Sequence, residues 1–219
     1  MPVLRDWDLA LDADKVLWGQ GADPAIIRAR RPRLAALAEA VIEEGRPLLA
    51  PAMLYRRIPV VGLRHERLLL AGGGVLLGPL IASRLAAASE VIVVICTVGD
   101  GLSRIISNRF QTDPVHALAL EGLAAAAAEA LAEAACRRFE AQARAEGLQA
   151  SIPLNPGMIG KPLVDGQPKA GVCIAGYHRH WRQLRCFGLN DAGQVGISGH
   201  RHRSGVGACG GELRLLRDT

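Results

Sequence analysis

Aromatic residues are scarce in this 219-residue chain: Phe, Trp and Tyr together make up 4 %, too few for a nucleic-acid surface built on stacked bases. Nor does the start of the sequence read as a secretory leader, because Met1 to Asp14 is acidic and interrupted by Trp7 and Asp8 rather than basic and then apolar. The five cysteines are an odd number. With no leader recognised at the start, that count reads as a reducing, cytoplasmic setting. A long apolar run unbroken by charge, glycine or proline is missing too. The most tempting stretch, Leu68 to Leu80, contains Gly72-Gly73-Gly74 and Pro79 and stops short before Arg84, which argues against a membrane span. The glycine triplet lacks the Gly-Lys-Ser/Thr ending that a phosphate cradle needs. No Ser/His/Asp or Cys/His set stands out. His65 and His116 are isolated and read as surface or capping residues, and Cys96 reads as a small hydrophobe.

What is present is an ordinary globular balance, 50 % hydrophobic and 21 % charged, enough for one core without disulfides or metal. The net charge of +5 is unevenly spread: residues 1–169 hold 19 Lys and Arg against 18 Asp and Glu, whereas residues 170–219 hold 7 against 3. The tail also carries three of the five cysteines and four of the six histidines. The basic run Arg28-Ala29-Arg30-Arg31-Pro32-Arg33 therefore reads as a solvated helix junction in a nearly neutral body rather than a nucleic-acid patch.

Along the chain, Asp14 to Trp18 suits a short helix, and Asp23-Pro24 gives a cap followed by proline at the first helical position. Pro32 cannot sit inside that second helix, so it opens a third, to Glu44, closed by Gly45. Residues 52–60 and 66–71 read as strands around Gly62, with the glycine triplet as a turn. Gly78-Pro79 opens a helix to about Ala88. The β-branched run within Glu90 to Cys96 predicts a strand buried on both faces, followed at once by a helix to about Phe110. Asp113-Pro114 and Gly147 bracket the longest helix, alanine-rich from Ala124 to Ala128 for close approach to a sheet, with Glu133–Arg137 and Glu140–Arg144 as surface pairs four residues apart. Leu148 to Ile152 reads as a strand leading into Pro153-Leu154-Asn155-Pro156-Gly157-Met158-Ile159-Gly160. Two prolines and two glycines there fix an irregular loop, and loops at strand ends are frequent binding sites.

The tail offers ligand-like density in His178, His180, His200 and His202 with Cys173 and Cys186. It also matches a dinucleotide fingerprint, at Gly205-x-Gly207-x-x-Gly210. That match has no preceding strand and no following helix or acidic residue, and reads as accidental.

Three blocks, in order, resemble the reactivation domain of cobalamin-dependent methionine synthase in its small stand-alone form. Val93-Val94-Ile95-Cys96-Thr97-Val98-Gly99 is similar to the family's strand ending in Cys-Thr-Ile-Gly. Ala117-Leu118-Ala119-Leu120-Glu121-Gly122, running on through Ala132-Glu133, resembles the family helix ALxLDxIGSxAVExLAE, with Glu121 where Asp is usual. Asn155-Pro156-Gly157-Met158-Ile159-Gly160-Lys161-Pro162-Leu163 is similar to the family's Ser-Pro-Gly-Tyr/Met loop before Trp-Pro-Leu. Gly19-Gln20-Gly21 to Pro32 and Leu54-Tyr55-Arg56-Arg57 also look like the stand-alone branch, so the resemblance covers residues 10–168.

The resemblance implies an α+β fold, a twisted and mostly antiparallel sheet with packed helices, over residues 1–169. It implies an accessory subunit that binds S-adenosylmethionine at Asn155, Pro156, Gly157 and Met158. That subunit docks on a corrinoid-bearing methionine synthase or methyltransferase partner, whose cobalamin is remethylated with a flavodoxin- or ferredoxin-type reductant. The hard chemistry belongs to the cofactor, which agrees with the lack of an acid–base set. In full-length enzymes the loop reads Arg-x-x-Pro-Gly-Tyr; here Pro153 stands at the Arg position and Met158 at the Tyr position. The loop is expected to end the Leu148–Ile152 strand and line a concave pocket, with backbone groups and Asn155 as its polar handles. The rival reading is a non-enzymatic docking subunit for another corrinoid-dependent methyltransferase system. A nucleic-acid binder, which would show steeply salt-dependent affinity, is the third.

From about Ala170 the family pattern stops. Read one nucleotide later, a back-translation of Lys169 to Arg203 allows RQVFALLDTTAIGVS and then MMPAKSVSLVIGIG, similar to the family's next helix and its P-x-K-S-V-S-x-V-I-G strand. Residues 170–219 are therefore expected to be a frame-shifted, irregular basic tail. It would leave a sheet edge uncovered, and His178, His180, His200, His202, Cys173, Cys186 and Cys209 would carry no function.

Overall fold

The computed structural model describes residues 2–154 and the strand 183–191. In chain order the first half comprises β1 (Val3–Leu4), α1 (Ala13–Gly19), α2 (Pro24–Arg30), α3 (Pro32–Gly45), β2 (Ala52–Arg64), β3 (Arg67–Leu70) and β4 (Val75–Leu77). The second half comprises α4 (Pro79–Leu85), β5 (Glu90–Thr97), α5 (Gly101–Arg109), α6 (Pro114–Ala145), β6 (Leu148–Ala150) and β7 (Gln183–Asp191).

Helix starts follow the aspartates. Asp12 accepts from the Lys15 N–H at 2.8 Å, Asp23 from the Ala25 N–H at 2.8 Å, and Asp113 from the His116 N–H at 3.0 Å. Each satisfies a backbone donor that the first helical turn leaves unpaired. Pro24, Pro32 and Pro114 each occupy the opening turn of a helix, where their missing N–H costs nothing. Pro32 thus separates α2 from α3, as its chemistry requires.

The sheet order is β4-β3-β2-β5-β7-β6, with β1 beside the start of β2. Every pairing is antiparallel, so the chain is an α+β fold. The 13 residues of β2 serve two partners: Ala52 to Pro59 pair with β5, and Val60 to Arg64 pair with β3. The expected end of the strand at residue 60, before Gly62, is corrected. The strand runs through Gly62 with a register shift between Val60 and Gly62, the usual place of glycine in a bulge. The chain reverses instead at His65-Glu66, where His65 holds φ at 53°. The strand β4 was missed because three residues carry too little periodicity to register, and the helix α4 ends at Leu85 rather than near Ala88.

On one face of the sheet, Met53 with Ile92, Val94 and Cys96 packs beneath Ala127, Leu131, Ala135 and Phe139 of α6. On the other, Ile58, Val91 and Val93 meet Leu68, Leu70 and Leu76 of the β3–β4 hairpin and Ile81 and Leu85 of α4. Strand β5 is buried on both faces, as its β-branched run predicts. The first half of α6 leaves the sheet, and its Leu120 and Leu123 pack with Val16 and Leu17 of α1, Val41 and Ile42 of α3, and Leu102 and Ile106 of α5. Ala124 to Ala128 mark the crossover: Ala124 and Ala126 lie in the helical cluster, Ala127 and Ala128 against the sheet. At 32 residues α6 is long and apolar enough to cross a membrane, yet 67 % of its most apolar window is buried inside the molecule, as in a core helix.

Residues 183–191 correct the expectation of a wholly irregular tail. They form β7 between β5 and β6, with Glu90 opposite Leu189, Cys96 opposite Gln183, and Leu148 opposite Asp191. The open edge of β5 and the short β6 each present backbone donors and acceptors that need a partner, and β7 pairs with both. The rest of the tail, with its histidines, Cys173 and Cys209, lies outside the described residues.

Candidate functional site

The chain reaches the candidate loop from the end of α6. Gly147, with φ of 73°, turns it out of the helix, and β6 follows at once. This strand ends at Ala150 rather than at Ile152, and Ile152 is half exposed. Leu154 is fully buried, in the cluster of Val91 and Val93 on the sheet face away from α6. The loop therefore departs from a fixed point in the core. Asn155, Pro156, Gly157 and Met158 lie outside the described residues, and so does the expected concave pocket.

At the end of α6 stands a charged cluster that no sequence spacing announces. Arg57 of β2 donates through Nε to Glu90 Oε2 at 2.8 Å and through Nη1 and Nη2 to both carboxylate oxygens of Glu146 at 2.8 and 2.7 Å. Gln142 donates to Glu146 Oε1 at 3.0 Å. The fork of Arg57 thus ties two sheet strands to the residue just beyond α6. The hydrogen bonds from Arg57 and then from Gln142 hold the Glu146 carboxyl below the usual carboxylate range. The carboxylate of Glu146, followed by that of Glu90, holds Arg57 more firmly protonated than a free guanidinium. The partners are 33 and 89 residues apart, and only the sheet register and the length of α6 bring them together.

A second cluster corrects the reading of His116 as isolated. Its Nε2 lies 2.7 Å from Glu44 Oε2, and Arg109 donates to Glu44 Oε1 at 3.1 Å. The three residues fasten the ends of α3 and α5 to the start of α6. His65 sits at the β2–β3 reversal. Cys96 and Cys136 are in no disulfide and each is 1 % exposed, shielded from solvent as core residues. Among the described residues no group of His, Cys, Asp and Glu could hold a metal ion.

No family model and no curated protein matches this chain.

Two of the grooves among the described residues lie against α6. One, of about 550 Å³, lies between α1 and α6, with an alanine floor, the indole of Trp18, and Lys15, Glu129 and Glu133 along its sides. The Lys15 ammonium is already engaged, donating to the Ala10 carbonyl at 2.7 Å, and Glu133 faces Arg137 at 3.9 Å. The other, of about 470 Å³, lies between the starts of α3 and α6 and has Phe110 at its edge. Both are within the size range of small binding sites. The basic run at the α2–α3 junction is partly neutralised: Arg28 pairs with Asp14 at 2.6 Å and faces Glu39 at 3.7 Å.

Proposed function

We propose that the chain is a reactivation or accessory subunit of cobalamin-dependent methionine synthase, presenting S-adenosylmethionine to a corrinoid-bearing partner. One observation carries the reading. Two of the three segments that resemble the family are distant in sequence yet meet in the core, and the residue just before the third is buried against the first. Val94 and Cys96 of β5 share a core cluster with Leu131 and Ala135 of α6, and Val93 of β5 shares the other with Leu154, the residue before the loop.

S-adenosylmethionine, when bound, supplies the methyl group, and the chain's task is to hold and orient it. In the Asn155–Met158 segment only Asn155 offers a polar side chain. Binding would therefore rest on that amide and on backbone N–H and C=O groups, with Gly157 allowing close approach. Reductant and corrinoid belong to partners, so no acid–base pair is demanded of this chain.

Titration calorimetry with S-adenosylmethionine tests the reading. The expected result is a dissociation constant tighter than ~1 mM, weakened by Gly157→Val with the fold intact. Absence of heat from folded protein would overturn methyl-donor binding and leave a subunit that only docks on a corrinoid protein.

A further inference from the structure

We infer that the groove between the starts of α3 and α6 is a docking site for an acidic amphipathic helix of a partner protein. It lies at the N-terminal end of α6. That helix has 32 residues and so is about 48 Å long, and the Asn155 loop follows its far end. The inference therefore does not rest on the methyl-donor reading.

The groove is apolar where a ligand would lie. Leu34 and Leu37 of α3 form one wall, Val115 and Leu118 of α6 the other, and Phe110 closes one end. Phe110, Val115 and Leu118 are 47 %, 54 % and 48 % exposed, a concentration of large apolar side chains that a solvated surface does not maintain without use. Two roughly helical walls with such a floor suit a third helix laid between them, its anchors three or four residues apart.

Charge decides which helix. Among the described residues Arg31 is the only charged one lining the groove, and Arg30 and Arg33 flank it in sequence at the α2–α3 junction. Neither these three arginines nor their guanidinium nitrogens have an ion-pair or side-chain hydrogen-bond partner among the described residues. Arg28, in the same run, does. Arg31 at the apolar groove, with no ion-pair partner among the described residues and two further arginines close to it in sequence, favours carboxylates on the polar face of the incoming helix. A nucleic acid would use the cation but leave the leucine and valine walls wet, and among the described residues it would find only Phe110 there to stack on.

The test uses the full chain and fluorescence anisotropy with a labelled synthetic amphipathic peptide. The peptide carries leucines at positions i, i+3, i+4 and i+7 and glutamates on its polar face. A control peptide has every glutamate replaced by lysine. The expected result is saturable binding of the glutamate peptide, at least about tenfold tighter than the lysine peptide. Arg31→Glu and Leu118→Asp should each weaken it about tenfold, with circular dichroism unchanged. Arg31 is exposed, so its variant keeps the test valid if Leu118→Asp fails to fold. Equal affinity for the two peptides, indifference to Arg31→Glu, or displacement of the glutamate peptide by a single-stranded oligonucleotide would each overturn the proposal. So would a dimer in sedimentation that Leu118→Asp dissociates, since a second copy would then own the groove.

Discussion

Two glycines set how closely α1 lies on α6, and their effect runs against helix propensity. A Cβ at Gly19 would stand 2.4 Å from the Gly122 carbonyl oxygen, and one at Gly122 would stand 2.6 Å from the Val16 carbonyl oxygen. Both obstacles are backbone and cannot rotate away. Alanine in place of glycine within a helix ordinarily gains roughly 1 kcal/mol, whereas overpacking a tight contact costs typically about 1–3 kcal/mol. The clash is severe enough for the second to win. Gly122→Ala, at a helix interior where the propensity gain is greatest, is therefore expected to destabilise the protein by up to about 2 kcal/mol, read as a lower urea midpoint with an unchanged slope. A midpoint at or above that of the parent chain would show that α1 can move off α6 without loss. From sequence, Gly19-Gln20-Gly21 reads as a helix stop, and nothing in that pattern reveals that Gly19 faces Gly122 across the helix pair.

At the scale of elements, the long helix is held at its far end by the Arg57 fork. The fork makes a pH-dependent contribution through Glu146. Because the folded state holds the Glu146 carboxyl below its usual range, its contribution is complete above the ordinary glutamate range. It is lost as pH falls through the depressed folded value. Glu146→Gln removes the titrating group but leaves an amide oxygen for Arg57. The variant should be less stable than the parent at neutral pH, and the difference should shrink towards zero on acidification below the usual glutamate range. Urea midpoints taken across that range measure it; a difference that stays constant with pH would dissociate Glu146 from the effect. The helix itself was legible in advance, because Asp113, Pro114 and Gly147 are local signals acting within one turn. The same is true of α1, α2 and α3. The clamp was not legible: an arginine in a strand pattern and two glutamates elsewhere carry no mark of meeting until β2 is paired with β5 and α6 is laid over both.

For the whole molecule, the decisive question is whether residues 183–191 complete the sheet. The buried run of β5 shows in its composition, but its second neighbour does not. Gln183 to Asp191 carries neither alternation nor a β-branched core, and the surrounding tail breaks the family pattern that would have placed a strand there. Backbone pairing makes fewer demands on sequence than side-chain packing does, and the two strands on either side of β7, each in need of a partner, are satisfied by it through main-chain bonds. The consequence is measurable in β5. Successive amides of an antiparallel strand point alternately to its two neighbours; with β2 on one side and β7 on the other, both sets are bonded. Hydrogen exchange followed by NMR should therefore find Val91 to Cys96 protected at every residue, with opening free energies close to that of global unfolding. If the tail were irregular at 183–191, as a frame-shifted reading predicts, every second amide in that run would exchange as an edge-strand amide does. The β2-facing set would stay slow. That alternation would remove β7 from the fold and leave β5 as an exposed edge. Uniform protection would establish that the atypical tail closes the sheet and fixes β6, the strand from which the Asn155 loop departs.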